Sequence, residues 1–213
     1  IGHVGPVFSV CISICDKHLL SGGYDNTIRR WSLQTKTPLM VYYGHNFPVW
    51  EVKFSPLGSY FASASADRTA KLWIMKNSSP LRIFAGQGGH LNDVETVEFH
   101  PNMHYVATGS SDRQIILWDV NTGAQAEILD IAKRCPIAQI QQVGAYLFAG
   151  NELGEIVIFD LVQNLPIDVV RSTQSKAIWS IDISWDDACL AIGTESGTIE
   201  LYSMNKLFSN AGK

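Results

Sequence analysis

Three times in this chain a histidine, a hydroxyl residue, an aspartate and a tryptophan recur at one spacing: His3, Ser21, Asp25, Trp31; His45, Ser63, Asp67, Trp73; His90, Thr108, Asp112, Trp118. His to Asp is 22 positions, the hydroxyl lies four before the Asp, and the Trp lies six after it. A hydroxyl, an imidazole and a carboxylate are the parts of a nucleophilic triad, so a hydrolase is one reading. Three equivalent copies do not suggest three active sites, however, and no serine sits in a Gly-x-Ser-x-Gly turn. The same four side chains suit a buried relay. The indole N–H donates to the hydroxyl, the hydroxyl to His and His to the carboxylate, which also caps its own turn. We assign the sets to bracing, with no catalytic residue among them.

The elements that position these residues follow from alternation. In the copy Gly44–Trp73, Val49, Val52 and Phe54 lead to a Ser-Pro-Leu-Gly turn. Tyr60 to Ser63 then run to the Ala66-Asp67-Arg68 turn, and Ala70 to Ile74 follow, giving three short strands. A fourth is expected after each Trp, at Leu39 to Tyr43, Leu81 to Ala85, Ala126 to Leu129 and Ile167 to Arg171. Trp to Trp is 42 and then 45 positions, and four strands per repeat of that length make an all-β β-propeller blade. The third copy ends in Trp118-Asp119, the dipeptide that names the WD (WD40) repeat.

Beyond Asn121 the polar set decays while the period persists through Phe159 and Tyr202. The fourth copy has Ala149, Leu153 and Phe159, with Ala132 or Lys133 near the histidine position; the fifth has Gln174, Ile192, Ser196 and Tyr202. Losing the whole set together is cheaper than losing one member, which would leave buried partners unsatisfied. About five four-stranded blades are expected, over 1–43, 44–88, 89–129, 130–172 and 173–204, with a tail at 205–213 that, from Met204 on, is polar enough to fray.

Composition narrows the partners. Among 213 residues, 46% are hydrophobic and 17% charged, and the net charge is −4, which suits a soluble globular protein. Lys and Arg form no run longer than a pair, as at Arg29-Arg30, which argues against direct nucleic-acid or anionic-membrane binding, and no apolar run approaches the roughly 20 residues that span a bilayer. Cys11, Cys15, Cys135 and Cys189 show no C-x-x-C pairing and read as reduced structural thiols. His100 and His104 flank a Pro-Asn turn between strands and read as a solvated turn, not a metal site. Gly22-Gly23 and Gly109, where strands enter the Asp turns, read as backbone room. No cofactor, metal or small-molecule substrate is expected.

Function then falls to the loops of one propeller face. The residues flanking each first strand and preceding each Asp are Pro6, Phe8 and Tyr24; Pro48, Trp50 and Ala66; Asp93, Glu95 and Ser111; Ala177, Trp179 and Glu195. Phe8, Tyr24, Trp50 and Trp179 are large aromatics of the types enriched at binding hot spots, and with Phe47 and Pro48, which lie between the His and the first strand, they form the candidate protein-binding face. Packing between blades is the competing role for Trp50 and Trp179.

The strings GHVGPVFSV, WSLQTKTPL, GHNFPVWEVKFSPLGSYFASASADRTAKLW, PLRIFAG and FHPNMHYVATGSSDRQIILWDVNTG go beyond a generic repeat. Through them the chain resembles the WD-repeat carboxy-terminal domains of the TATA-binding-protein-associated factors that scaffold transcription initiation factor TFIID and carry an amino-terminal LisH-type region. The likeness is close over residues 1 to about 125 and rests on period alone beyond. Gln87-Gly88-Gly89 departs from the family's Ala-Gly-His junction, and the last two blades lack its His and Asp. The resemblance implies a non-enzymatic nuclear scaffold that contacts histone-fold TATA-binding-protein-associated factors during assembly of the RNA polymerase II preinitiation complex. The alternative is a WD adaptor of another assembly, such as a SAGA-type coactivator or a ubiquitin-ligase substrate receptor. The family's propeller implies seven blades, so the sequence, which starts inside a repeat, is expected to be an incomplete piece whose open arc exposes a strand edge at each end.

Overall fold

The computed structural model describes residues 2–86, 88–130, 137–163, 165–184 and 186–210. The first sheet contains β1 (Val7–Ile12), β2 (His18–Gly23), β3 (Ile28–Ser32) and β4 (Thr37–Tyr42); the second, β5 (Val49–Phe54), β6 (Tyr60–Ser65), β7 (Ala70–Ile74) and β8 (Arg82–Phe84). The third contains β9 (Val94–Phe99), β10 (Tyr105–Ser110), β11 (Gln114–Asp119) and β12 (Gln125–Asp130); the fourth, β13 (Ile137–Val143), β14 (Tyr146–Asn151), β15 (Glu155–Asp160) and β16 (Leu165–Arg171). The fifth has β17 (Ile178–Ile183), β18 (Cys189–Thr194) and β19 (Ile199–Ser203). Each sheet is an antiparallel meander, so every blade is a local unit of consecutive strands.

The blades stack by their faces in chain order. Leu20, Ile28 and Tyr42 of the first sheet pack on Val49, Val52, Phe61 and Trp73 of the second, where the Phe61 and Trp73 rings lie 5.9 Å apart and nearly parallel. Equivalent layers form around Trp118, around Phe159, and between Phe148, Ile156 and Ile158 and the fifth sheet. Central strands covered on both faces are buried almost throughout, as β6 and β7 show, and their sequences carry Ala, Ser, Phe, Leu and Trp with little exposed alternation. A side chain at Gly22, Gly109 or Gly150 would drive a Cβ to within 2.7–2.8 Å of the next inner strand, at Val49, Ile137 and Ile178 respectively. These glycines are therefore the contact points where one blade's second strand admits the next blade's first, and the second blade uses Ala64 there.

Two expectations are corrected. The fifth sheet has three strands, not four, among the described residues, because the chain after β19 enters helix α1 (Met204–Asn210). Met204, Leu207 and Phe208 fall on one helical face; the first two are buried in the last interblade core, and the Phe208 ring lies 4.6 Å from Tyr146. The segment 204–210 is thus packed and not frayed, while 211–213 lie outside the described residues. Second, what the array leaves open at its ends is a sheet face, not a strand edge, because blades stack face on face: Val10 and Ile12 are exposed on β1, and Ile199 and Leu201 on β19.

Candidate functional site

Each of the three polar sets closes into one hydrogen-bonded chain inside its blade. Trp31 Nε1 donates to Ser21 Oγ at 2.8 Å, Ser21 Oγ lies 2.8 Å from His3 Nε2, and His3 Nδ1 lies 2.8 Å from Asp25. In the second blade the steps are 2.8, 2.7 and 2.8 Å through Trp73, Ser63, His45 and Asp67. In the third they are 2.8, 2.7 and 2.9 Å through Trp118, Thr108, His90 and Asp112. Because the indole can only donate, the hydroxyl proton goes to His Nε2 and the proton on Nδ1 to the carboxylate, which fixes each ring's tautomer. Ser63 and Thr108 are 0% exposed and Ser21 3%. A hydroxyl sealed under an indole, its proton directed to His, has no path to a substrate.

The carboxylate does more than orient the imidazole. Asp25 also accepts from Val4 N, Thr27 N and Thr27 Oγ1, and Asp67 from Asn46 N, Thr69 N, Thr69 Oγ1 and Lys71 Nζ. It therefore ties the loop before the first strand to the turn before the third. That turn has a left-handed residue at the same place in every blade: Asn26, Arg68, Arg113, Gly154 and Gly197. Where the Asp clamps the turn an ordinary side chain occupies this position; where the Asp is gone the residue is Gly, which enters that conformation without strain.

The two decayed blades hold their turns by other means, which the spacing did not reveal. In the fourth, Asn151 Oδ1 accepts from Leu153 N and Glu155 N, and Glu155 pairs with Asn151 Nδ2 and Arg171. In the fifth, Glu200 accepts from Thr173 and Tyr202, while Thr194, Ser196 and Thr198 bond one another. Ala149, Leu153, Phe159, Ile192 and Tyr202 sit at the expected strand and turn positions; Ala132 and Lys133 lie outside the described residues. Glu155, the first residue of the strand after the fourth blade's turn, and Glu200, the second residue of the strand after the fifth blade's turn, were the available signal.

Charge follows burial and these bonds. Burial pushes Asp25 up, but Val4 N, His3 and Thr27 outweigh it and hold the carboxyl at about 2. Asp67 and Asp112 are likewise lowered, burial being outweighed by the bonds from His45 and His90. Burial pushes His45 below the usual histidine range against the pull of Asp67. Glu95 and Glu98 are pushed up to about 7, first by burial, Glu95 then by Asp93 and Glu152; at Glu98 the neighbouring Lys53 only partly opposes the rise.

The signs set a pH profile. Lowered carboxylates contribute stability that is present above about pH 4 and lost as pH falls through their folded values. Neutral His45 begins to oppose folding below about pH 6.5, whereas Glu95 and Glu98 oppose it fully above about pH 7 and cease to do so by about pH 4.5. The urea midpoint, read by tryptophan fluorescence, is expected to hold or rise from about pH 7.5 to 5 and to fall steeply below about pH 4. A steady decline from neutrality downward would show His45 protonation winning instead.

The candidate face is built by a backbone irregularity that recurs in all five inner strands. The ladder skips between Val7 and Ser9, Val49 and Glu51, Val94 and Thr96, Ile137 and Gln139, and Ile178 and Ser180. The extra residues are Phe8, Trp50, Glu95, Ala138 and Trp179, and such bulges re-aim a side chain away from the strand's own pleat. Trp179 is 65% exposed, and Phe8, Tyr24 and Phe47 are exposed as well. Trp50 divides between the two expected roles. Its ring lies 4.6 Å from Phe8 of the preceding blade, it is half-buried, and Nε1 donates to Asp93 Oδ2 at 3.4 Å. Pro48 lies half-buried beside it, its carbonyl accepting from Ala66 N. Phe47, Ala66, Arg68 and Asp93 line one shallow groove on this face; Ala177, Trp179, Glu152 and Glu195 line another.

Beneath the face, inner strands are sewn together by side chains. Val52 N donates to Ser9, Val97 N to Glu51 at 2.7 Å and Ile140 N to Thr96. Glu51 also accepts from Thr96 Oγ1 and Gln139 Nε2, both at 2.7 Å. The remaining candidates are quiet. His100 accepts from Asn102 N within its turn, and no group of three or more His, Cys, Asp or Glu that could hold a metal exists among the described residues. Cys11, Cys15 and Cys189 are free; Cys135 lies outside the described residues.

Comparison with known proteins agrees with the repeat. The family "WD domain, G-beta repeat" matches residues 1–32, 36–73 and 78–119, just over half of the chain. Transcription initiation factor TFIID subunit 5 of Caenorhabditis elegans is 36% identical over 207 residues, covering 97% of this chain and 31% of that protein. An uncharacterized WD repeat-containing protein of Schizosaccharomyces pombe is 56% identical over 32 residues, 15% of this chain and 5% of its own length. The chain thus spans less than a third of each of these relatives.

Proposed function

We propose, for a chain that belongs to the WD domain, G-beta repeat family, that it is a non-enzymatic protein-interaction scaffold of a TFIID-type general transcription factor and works in the nucleus. One observation carries the assignment: the 36% identity to a TFIID subunit runs across 97% of the chain, decayed blades included, and not only across the three sets common to WD repeats. By contrast, 56% identity confined to 32 residues is what a shared repeat alone produces. Other subunits, by resemblance histone-fold TATA-binding-protein-associated factors, are the partners. They dock on propeller faces, where rigid blades present loops of differing chemistry. The polar sets keep those faces fixed and take no part in chemistry.

Affinity purification of the full-length protein from nuclear extract, read by mass spectrometry, tests this. Histone-fold TFIID-type subunits are expected in stoichiometric recovery. Recovery of a coactivator or ubiquitin-ligase complex in their place would replace the assignment with that of an adaptor of another assembly.

A further inference from the structure

The bulged face carries chemistry that selects a partner. A groove of about 340 Å³ is lined by Glu152, Ala177, Ile178, Trp179 and Glu195. The lining joins apolar Ala177 and Ile178 to an indole left 65% exposed and to acidic residues from the turns of the fourth and fifth blades. Negative charge continues into the third blade. Asp93 carries it and accepts the Trp50 N–H, while Glu95, pushed up to about 7 by burial and then by Asp93 and Glu152, adds charge only in part at neutral pH. The basic residues bordering this stretch, Arg68, Arg113 and Lys176, are exposed. Large exposed aromatics extend the surface across the first two blades at Phe8, Tyr24 and Phe47, well beyond the groove.

We propose that this face binds a lysine- or arginine-bearing segment of a protein partner, one cationic side chain lying along Trp179 with its charge held by Glu152 and Glu195. Charge complementarity selects the occupant. A carboxylate-rimmed aromatic surface repels phosphate backbones and anionic lipid, while a cation over an indole is attracted by the ring and its methylene stem covers the apolar lining. The aromatic surface beyond the groove calls for a polypeptide segment in place of a free amine. The inference rests on the scaffold reading and supplies the partner's chemistry.

The test is fluorescence anisotropy of the full chain with labelled peptides Gly-Ser-Arg-Gly-Ser-Arg-Gly, its Lys counterpart and its Gln counterpart. Binding is expected for the Arg and Lys peptides, weakening with added salt, and not for the Gln peptide. Glu152→Gln with Glu195→Gln, and separately Trp179→Ala, are expected to weaken it by about tenfold or more with unchanged melting temperature, since all three side chains are exposed. Asp187→Asn, in an exposed turn of the fifth blade away from the groove, is expected to leave it unchanged. No binding of either cationic peptide, or binding indifferent to the Glu and Trp substitutions, overturns the proposal. If TFIID-type subunits are still recovered in the purification above, that failure leaves the scaffold assignment standing. Peptide binding without such subunits overturns the TFIID assignment alone.

Discussion

Asp67→Asn is expected to destabilise the protein by about 3–5 kcal/mol, lowering its melting temperature by about 10 °C. The carboxylate serves two groups of donors. Oδ2 faces His45 Nδ1, Asn46 N and Lys71 Nζ; Oδ1 faces Thr69 N and Oγ1. An amide has one acceptor and one donor end, so either orientation sets N–H against N–H on one side. Lys71 makes the loss severe. It is 4% exposed, its remaining partner is the Gly44 carbonyl at 2.6 Å, and without Asp67 its charge is buried unpaired. Adding Lys71→Met to Asp67→Asn is therefore expected to recover part of the loss, a coupling that a double-mutant cycle of thermal melts measures. A hydrolase built on Ser63, His45 and Asp67 would instead give a protein as stable as the parent and inactive, and that result would overturn the bracing role.

Glu51→Ala is expected to cost about 2–4 kcal/mol and to loosen three blades at once. One side chain on β5 accepts from Thr96 and Val97 on β9 and from Gln139 on β13, while Lys53 stands between it and Glu98, 3.1 Å from the latter. Removing it strands a buried amide and a buried hydroxyl and leaves Lys53 with Glu98 as its one carboxylate partner beside the Gln141 side-chain oxygen. Glu51→Gln is expected to be mild, because Gln139 can turn its own amide and offer oxygen where it offered nitrogen. Hydrogen exchange at the Val97 amide separates the variants: protection drops in the alanine variant and persists in the glutamine one. Equal protection in both would remove Glu51 from the interblade network.

These two residues also mark what the sequence could and could not disclose. Asp67 was legible because its partners lie in one blade and the blade repeats: His45, Ser63 and Trp73 stand at intervals that His3, Ser21 and Trp31 duplicate. Glu51 was not, because its partners are 45, 46 and 88 positions away and its counterparts, Ser9 and Thr96, share its place but not its chemistry. The aromatic face was half legible. Residue types flagged Phe8, Trp50 and Trp179, but the bulge that lifts them is a property of ladder register, invisible to a pattern of alternation. Glu152 escaped, although it precedes Leu153 as Glu195 precedes Ser196, because the fourth blade has no aromatic at the start of its first strand to draw that loop into the face. Helix α1 escaped because seven residues with one apolar face carry too weak a period beside five blades of strands.

The bulge has one more consequence. Each inner strand has a single extra residue in its ladder, aromatic in the first, second and fifth blades, acidic in the third and alanine in the fourth, and at Trp179, 65% exposed, its identity is uncoupled from the interior. Substitution of Trp179 leaves the ladder, the interblade layers and the Asp clamps untouched. A propeller of this kind therefore keeps specificity and stability on separate inheritable positions, and duplicated copies can drift to new partners one blade at a time without passing through an unfolded ancestor.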